Sequence, residues 1–317
     1  MKYITFKNGD QMPIVGLGTW KSKPGEVYQA VLWALEAGYR HIDCAAIYDN
    51  EKEVGRAFEE AFSSGLVKRE EVFVTSKLWN NSHRFEDVIP ALKKTLEDLR
   101  LDYLNLYLVH WPIAFKQGVG FARTREEFYT YQDVPLAQTW AGMEEAKAQD
   151  LCKHIGMSNF NISKLEEIFK TAKEEPEMNQ IELHPYLPQE KLVNFCQSKG
   201  MLVTAYSPLG SGDRATSIKK DDEPNLLEAE KIKEIASKYQ CTPAQVLIAF
   251  SIARNIAVIP KSVNQGRISE NLKAAKIQLD GSDMQELLNM DTHYRYIDGS
   301  FFTNPYSPYS LEDLWEK

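Results

Sequence analysis

Four side chains that can exchange protons stand at or just past the ends of three consecutive predicted strands: Asp43, Tyr48, Lys77 and His110. Each alone has an ordinary structural explanation, such as a buried ion pair or a hydrogen-bonded scaffold histidine. Together they are harder to explain that way, because a buried ion pair stabilises a fold weakly. Barrel enzymes collect catalytic residues from several strand ends. We therefore expect these side chains to converge.

These residue types suggest a particular chemistry. A tyrosine with an ordinary pKa of about 10 exchanges protons poorly at neutral pH. We expect the Lys77 ammonium to lower the pKa of Tyr48, and Asp43 to keep Lys77 charged and oriented. Tyr48 would then protonate an oxygen that gains negative charge, with neutral His110 as a second donor. This suits carbonyl reduction by hydride, which a cofactor must supply because no side chain can.

The glycine pattern does not predict a Rossmann cofactor site. GLGT at Gly16–Thr19 is not GxGxxG, and that fingerprint occurs nowhere else in the chain. The later strands offer another route, because a Lys, a Ser, an Arg and a helix N-terminus together can bind phosphate. The candidate cofactor residues from these strands are Ser158, Asn159, Gln180, Tyr206, Lys261, Ser262, Arg267 and Asn271.

Short apolar runs alternate with helical segments along the chain. The predicted strands are Val15–Leu17, Arg40–Ile42, Val72–Ser76, Leu104–Val109, His154–Met157, Asn179–Glu182, Leu202–Ala205 and Ala257–Ile259. The helices are predicted to begin near Gly25, Glu51, Arg84, Pro135, Ser163, Gln189, Pro243 and Arg267. Eight such pairs indicate parallel βα units and favour an α/β (β/α)8 TIM barrel. An open doubly wound sheet is the alternative.

Further elements surround this repeat. An N-terminal β-hairpin is predicted around Asn8-Gly9-Asp10, and two extra helices over about 226–238 and 283–290. Capping boxes are predicted at Thr242, Ser163 and Ser282. Long connections at about 111–134 and 207–225 follow strands, which puts both on the catalytic face of a barrel. The aromatic tail after Asp291 either folds over that face or only packs against the barrel as a structural C-terminal segment. No linker divides the chain, so residues 1–317 are expected to form one domain.

Composition excludes several classes of partner. The formal net charge of −8 and the pI near 5.4 argue against nucleic acid or an anionic membrane. No apolar run approaches the ~20 residues of a membrane span, and the N-terminus has no secretory h-region. Four cysteines lack metal-ligand spacing. We expect a cytoplasmic protein without a metal, acting as a monomer or weak dimer.

Longer motifs resemble the aldo-keto reductase family over nearly the whole chain. The segment GYRHIDCAAIYDNEKEVG at Gly38–Gly55 resembles its first signature, NLYLVHWP carries the family histidine at His110, and IPKSVNQGRISENLKAA resembles its third signature. GMSNF, NQIELHPY and AYSPLGSG also match in order. The segment HWPIAFK is similar to the corresponding segment of the aldose, xylose and aldehyde reductase branch.

The resemblance implies NADPH-dependent reduction of an aldehyde or ketone, with NADH as a possible secondary cofactor. It makes Tyr48 the proton donor, Lys77 the group that tunes it, Asp43 the partner of Lys77, and His110 the group that orients the carbonyl. The implied cofactor-binding residues are Thr19, Trp20, Lys21, Asp43, Ser158, Asn159, Gln180, Tyr206, Ser207, Leu209, Ser211, Asp213, Lys261, Ser262, Val263, Arg267, Glu270 and Asn271. The expected substrate-binding residues are Trp20, Ile47, Tyr48, Trp79, His110, Trp111 and Phe115.

One implied feature is a loop that closes over the cofactor pyrophosphate through ion pairs of Asp213 with Lys21 and Lys261. There are also departures from the family pattern. Asn264-Gln265-Gly266 stands where relatives commonly carry Thr-Pro before the Arg. Ile297 falls near a position where some relatives have a cysteine, so redox control of the tail is not expected.

Two other functions fit some of these features. Lys77 could form a Schiff base with a carbonyl substrate, as in aldolases. The chain could instead be a non-enzymatic, cofactor-sensing interaction subunit. For the reductase, the physiological substrate stays open among a sugar, a sugar phosphate, an aromatic aldehyde and a ketone.

Overall fold

Ten strands are present in the computed structural model of the chain, which describes residues 2–214, 219–220 and 222–315. They are β1 (Tyr3–Thr5), β2 (Gln11–Pro13), β3 (Leu17–Gly18), β4 (His41–Asp43), β5 (Phe73–Leu78), β6 (Leu104–Val109), β7 (Cys152–Ser158), β8 (Met178–Glu182), β9 (Leu202–Tyr206) and β10 (Ala257–Val258). Strands β3 to β10 form one parallel sheet in chain order, so every predicted barrel strand is present within one or two residues.

The sheet closes on itself, which confirms the barrel over the open doubly wound alternative. Parallel bridges join Val15 to Val258 and Gly18 to Lys261, so the first barrel strand pairs with the last. Gly18 permits this approach, because a Cβ there would lie 2.7 Å from the carbonyl oxygen of Ile259. Closure brings the carboxyl ends of all eight strands around one opening.

Helices cover the outside of the barrel. They are α1 (Glu26–Ala37), α2 (Glu51–Ser63), α3 (Phe85–Leu99), α4 (Leu136–Ala148), α5 (Ile162–Thr171), α6 (Glu190–Ser198), α7 (Glu230–Lys238), α8 (Pro243–Ala253), α9 (Gln265–Lys273), α10 (Gly281–Leu288) and α11 (Leu311–Leu314). The predicted extra helices correspond to α7, which follows a short 3-10 turn, and α10. Apolar residues on the helices and strands pack into one contiguous buried cluster.

The predicted capping boxes are confirmed at one helix and wrong at two. Thr242 accepts a hydrogen bond from the amide of Gln245 and begins α8, as expected. Helix α5 is instead capped by Asn161, and α10 by Asp280. In both wrong cases an Asn or Asp two residues before the predicted serine supplies the acceptor, and such residues are equally good caps.

The hairpin of β1 and β2 covers the amino ends of the barrel strands. Phe6 stacks on His154 and on Phe73, which lie in β7 and β5. At the other end the tail folds over the opening. The Tyr309 hydroxyl donates to the carbonyl of Tyr129 and accepts from the amide of Ala114, which ties the tail to the connection after β6.

Two further expectations concern the long connection after β9 and membrane-spanning helices. The long connection after β9 is present, although residues 215–218 and 221 within it lie outside the described residues. Every helix in the described ranges is too short or too polar to span a bilayer.

Candidate active site

The four predicted proton-exchanging residues meet at the open end of the barrel, with Lys77 and Asp43 innermost. Lys77 Nζ donates to Asp43 Oδ1 at 2.6 Å and to the carbonyl oxygen of Cys44 at 2.7 Å. The two side chains are 1% and 2% exposed. Gln180 Nε2 donates to the other carboxylate oxygen of Asp43 at 2.7 Å. Both oxygens of Asp43 are therefore engaged, and the ammonium is held in one place.

Tyr48 lies at the end of a 3-10 segment, Ala46–Tyr48, that directly follows β4 and its loop. The Lys77 ammonium lies 5.2 Å from the centroid of the Tyr48 ring. Among the described residues, none forms a hydrogen bond with the Tyr48 hydroxyl, and the side chain lines the central cavity. This phenol is therefore available to a bound molecule.

The direction expected for the pKa of Tyr48 is wrong. Burial raises this pKa well above its ordinary value, and the nearby Asp43 carboxylate raises it further. Lys77 does not reverse the rise, because its charge is already paired with Asp43. Tyr48 therefore keeps its proton at neutral pH.

His110 faces Tyr48 from the end of β6. Its ring meets those of Tyr48 and Trp79 edge to face, with centroids 5.8 Å and 5.2 Å apart. Burial lowers the pKa of His110 well below its ordinary value, and the positive charge of Lys77 adds to this effect. The imidazole is therefore neutral, as expected for a hydrogen-bond donor to an oxygen.

A second polar group comes from β7, β8 and β9. Asn159 Nδ2 donates to the carbonyl of His110 at 3.0 Å, and its Oδ1 accepts from the Tyr206 hydroxyl at 2.7 Å. Ser158 Oγ donates to the carbonyl of Gln180 at 2.9 Å. Asn159 has a φ of 65°, a conformation that favours glycine and stores strain in other residues. These contacts hold amide and hydroxyl groups beside the Tyr206 ring.

One cavity of about 650 Å³ connects these groups. It contains all of the predicted cofactor-binding residues except Val263, which is partly buried against the core. Its volume falls within the range typical of small-molecule sites. Lys77 does not line it, because this side chain lies behind Tyr48 and Asp43.

One end of the cavity is basic. Asp213 forms ion pairs with Lys21 and, at 3.2 Å, with Lys261, so the predicted contacts are present. Burial would raise the pKa of Asp213, but the bonds and charges of Lys21 and Lys261 together outweigh burial and lower that pKa. Arg267 is exposed at this end of the cavity, beside the N-terminus of α9. Asn264 caps that helix through its Oδ1.

The other end of the cavity is aromatic and apolar. Of the predicted substrate-binding residues, the wall contains Trp20, Ile47, Tyr48, Trp79, His110 and Trp111. Phe115 is not among them, because it is buried and packs against Trp79 and Phe302. Phe121 lines the cavity instead, together with Ile297 and Phe301 of the tail. Phe121 was not predicted; the signal that marks it is an aromatic residue in the long connection after β6.

Comparison with known proteins agrees with this geometry. Residues 14–291 match the model of the Aldo/keto reductase family. An aldo/keto reductase of Synechocystis sp. is 50% identical over 317 residues, covering 100% of this chain and 97% of the relative. Human aldo-keto reductase family 1 member A1 is 46% identical over 296 residues, which cover 93% of this chain and 90% of the relative.

Solved structures give the same result. The aldose reductase from Schistosoma japonicum superposes with a TM-score of 0.87 at 40% identity, covering 97% of this chain and 98% of that one. The chain therefore belongs to the aldo/keto reductase family, and within it resembles the aldose and aldehyde reductases. It is accordingly an oxidoreductase of a family that reduces carbonyl groups with a nicotinamide cofactor.

Proposed function

We propose that this protein reduces an aldehyde or ketone to an alcohol with NADPH, and that Tyr48 supplies the proton. The observation that carries the proposal is that two uncharged hydrogen-bond donors, Tyr48 and His110, line one cavity. Tyr48 keeps its proton because burial raises its pKa, and His110 is neutral because burial lowers its pKa. Both side chains line the same cavity wall, where a carbonyl oxygen can reach them.

The residues divide the chemistry between them. His110 donates a hydrogen bond that orients the carbonyl, and Tyr48 gives its proton to the oxygen as negative charge develops there. Lys77 and Asp43 fix the electrostatic surroundings of the phenol. The Lys77 ammonium lies 5.2 Å from the Tyr48 ring and is held there by its hydrogen bonds to Asp43 and to the carbonyl of Cys44.

The residues of the cavity fit a nicotinamide cofactor. Ser158, Asn159 and Gln180 present amide and hydroxyl groups that suit a carboxamide, and the adjacent Tyr206 ring suits stacking on a flat heterocycle. When bound, this cofactor supplies the hydride that no side chain can provide. These residues would hold its reactive ring beside Tyr48 and His110.

The preference for NADPH rests on the basic end of the cavity. We assign the 2′-phosphate to a cluster at the carboxyl end of β10 and the start of α9: Lys261, Ser262, Arg267 and Asn271. All four line the cavity. Cationic side chains beside a helix N-terminus favour a dianionic group, which NADH lacks.

The two alternative functions are less favoured. A Schiff-base lysine must reach the substrate, whereas Lys77 is 1% exposed and bonded to both Asp43 and a backbone carbonyl. A cofactor-sensing subunit without turnover would not need Tyr48 and His110 together on the cavity wall. A reductase uses every member of the cluster.

A spectrophotometric screen tests the proposal. Oxidation of NADPH should be measured with a panel of sugar aldoses, sugar phosphates, aromatic aldehydes and ketones, and repeated with NADH. Turnover of at least one carbonyl with NADPH is expected, together with weaker use of NADH. Absence of turnover across the panel, with intact NADPH binding, would favour the sensing subunit. Borohydride trapping of substrate on Lys77 would favour the aldolase.

A further inference from the structure

A second cavity lies outside the barrel, beside the candidate active site. It has a volume of about 400 Å³ and lies between α2, α3 and the loop after β5. Trp79 belongs to the walls of both cavities. Ala46 and Asp49, which flank Ile47 and Tyr48 in sequence, also line the second cavity. The segment that carries Tyr48 therefore separates the two spaces.

Glu51 lines this second cavity although its side chain is almost completely buried. The residue is 5% exposed. Ser76 Oγ donates to its Oε1 at 2.5 Å, and Thr95 Oγ1 donates to its Oε2 at 3.1 Å. No basic group is within salt-bridge distance of Glu51 among the described residues. The carboxyl is thus held by two neutral hydroxyls, from β5 and α3.

Glu51 is connected to Tyr48 through a short, hydrogen-bonded segment of the chain. It is the first residue of α2 and stands three positions after Tyr48. The intervening Asn50 donates from Nδ2 to the carbonyl of Thr19 at 2.9 Å. The bonds of Glu51 therefore fix the far end of a short segment whose near end carries the proposed proton donor.

Charged and titratable groups face Glu51 from every neighbouring element. They are Asp98 and Lys94 of α3, Lys77 of β5, Tyr107 of β6, Lys52 of α2, and Cys44, Tyr48 and Asp49 of the preceding loop. Burial raises the pKa of Glu51 to about 7, opposed by the bonds from Ser76 and Thr95. The carboxyl therefore changes charge near neutral pH.

We propose that Glu51 is a positioning residue for the proposed reduction. Glu51 holds the Tyr48 segment through Ser76 and Thr95, and it makes proton donation by Tyr48 depend on whether the Glu51 carboxyl is ionised. The proposal rests on the proposed function for the identity of the donor. The second cavity gives the carboxyl a route to solvent, so its protonation follows the bulk pH.

The expected direction follows from electrostatics. Ionised Glu51 adds a negative charge near Tyr48, and this charge raises the pKa of the phenol. A phenol with a higher pKa is a weaker acid, so it gives its proton less readily to the substrate oxygen. Reduction should therefore slow as pH rises through about 7, the range in which Glu51 ionises.

The test is the pH profile of kcat and KM for the full chain and three variants. The wild-type kcat should fall about two- to tenfold across neutrality, with little change in KM. Glu51→Gln imitates the protonated carboxyl and should abolish this decline. Ser76→Ala removes a bond that favours the ionised form, so it should move the decline to higher pH. Glu36→Gln, which changes an exposed carboxylate near the end of α1, should keep the decline.

A second measurement does not require activity. Because the folded pKa of Glu51 lies above its ordinary value of 4.5, its contribution to stability is complete below pH 4.5 and is lost as pH rises from there to about 7. The Tm of wild type should thus fall across this range more than that of Glu51→Gln. Glu36→Gln, which changes an exposed carboxylate near the end of α1, should retain the wild-type slope.

The outcomes separate the two proposals. A wild type that reduces no carbonyl refutes the proposed function, while the Tm measurement still tests the ionisation of Glu51. An active Glu51→Gln variant that keeps the wild-type decline in kcat overturns the inference alone. A uniform loss of kcat at every pH, without a change in the profile, indicates a purely structural Glu51 and also overturns it.

Discussion

The two ends of the barrel hold a buried histidine in opposite ways. At the hairpin end, His154 Nδ1 lies 3.0 Å from Glu177 and Nε2 lies 3.1 Å from Asp10, and the ring stacks on Phe6 with centroids 3.7 Å apart. At the open end, His110 Nδ1 is buried and has no hydrogen-bond partner among the described residues.

The difference indicates which end is scaffold and which end does chemistry. Leaving a buried polar group unpaired costs about 1–3 kcal/mol, so a fold tolerates it where another requirement exists. Four non-glycine residues with left-handed φ, between 47° and 65°, also line the cavity at this end: Lys21, Asn159, Ser207 and Ser211. At the hairpin end both ring nitrogens of His154 have partners, so packing and hydrogen bonds explain this histidine.

The largest expected effect comes from removing the proposed donor at the open end. Tyr48→Phe deletes one hydroxyl, which has no hydrogen-bond partner among the described residues, so stability should barely change. Turnover should fall by about 10²–10⁴-fold, the usual contribution of a general acid. NADPH affinity, measured by fluorescence titration, should stay within a few-fold of wild type. Retained turnover would refute the donor role.

A pair of histidine variants tests the comparison directly. His154→Phe keeps the ring that stacks on Phe6 but loses both hydrogen bonds, so unfolding should become easier by about 1–3 kcal/mol. Its kcat per folded molecule should match wild type. His110→Phe should do the reverse, with stability near wild type and kcat reduced by about 10²-fold. Denaturant unfolding and steady-state kinetics measure both. A loss of kcat in His154→Phe would contradict the assignment of that end as scaffold.

Much of this molecule could be predicted from its sequence, because hydrophobic periodicity and strand order are local signals. The strands, the hairpin and the barrel class follow from such patterns. The convergence of Asp43, Tyr48, Lys77 and His110 follows too, because residues past parallel strands meet at one edge. Their catalytic roles stay predictions.

What could not be predicted depends on burial and on long connections. The direction of the Tyr48 pKa depends on how completely Asp43 pairs Lys77 and on how deeply the phenol is buried. Phe115 and Phe121 lie in the same connection, and nothing in their spacing tells which one faces the cavity. A Glu at position 51 resembles any acidic residue that begins a helix; its burial appears once β5 and α3 pack against it.

The basic end of the cavity gives a smaller expected effect. Lys261→Ala combined with Arg267→Ala removes two positive charges proposed to face the 2′-phosphate. The Kd for NADPH should rise by about 10–100-fold, since charge-assisted hydrogen bonds contribute roughly 1.5–3 kcal/mol each before solvent screening at this exposed site. The Kd for NADH should change by less than about threefold on the same reasoning. Equal weakening of both cofactors would count against a 2′-phosphate site.

The smallest effect is expected from breaking the ion pairs of Asp213 across the basic end of the cavity. Asp213 joins Lys21, after β3, to Lys261, after β10, and these contacts span the basic end of the cavity. Because Asp213 is half-exposed, each ion pair contributes less than about 1 kcal/mol, and Asp213→Ala should speed NADPH release a few-fold. Stopped-flow fluorescence measures this off-rate, and Asp291→Ala, an exposed acid outside the cavity, is the control. Because screening weakens exposed ion pairs, high salt should shrink the difference between wild type and Asp213→Ala. An off-rate that is unchanged at low salt would mean that these contacts do not retain the cofactor.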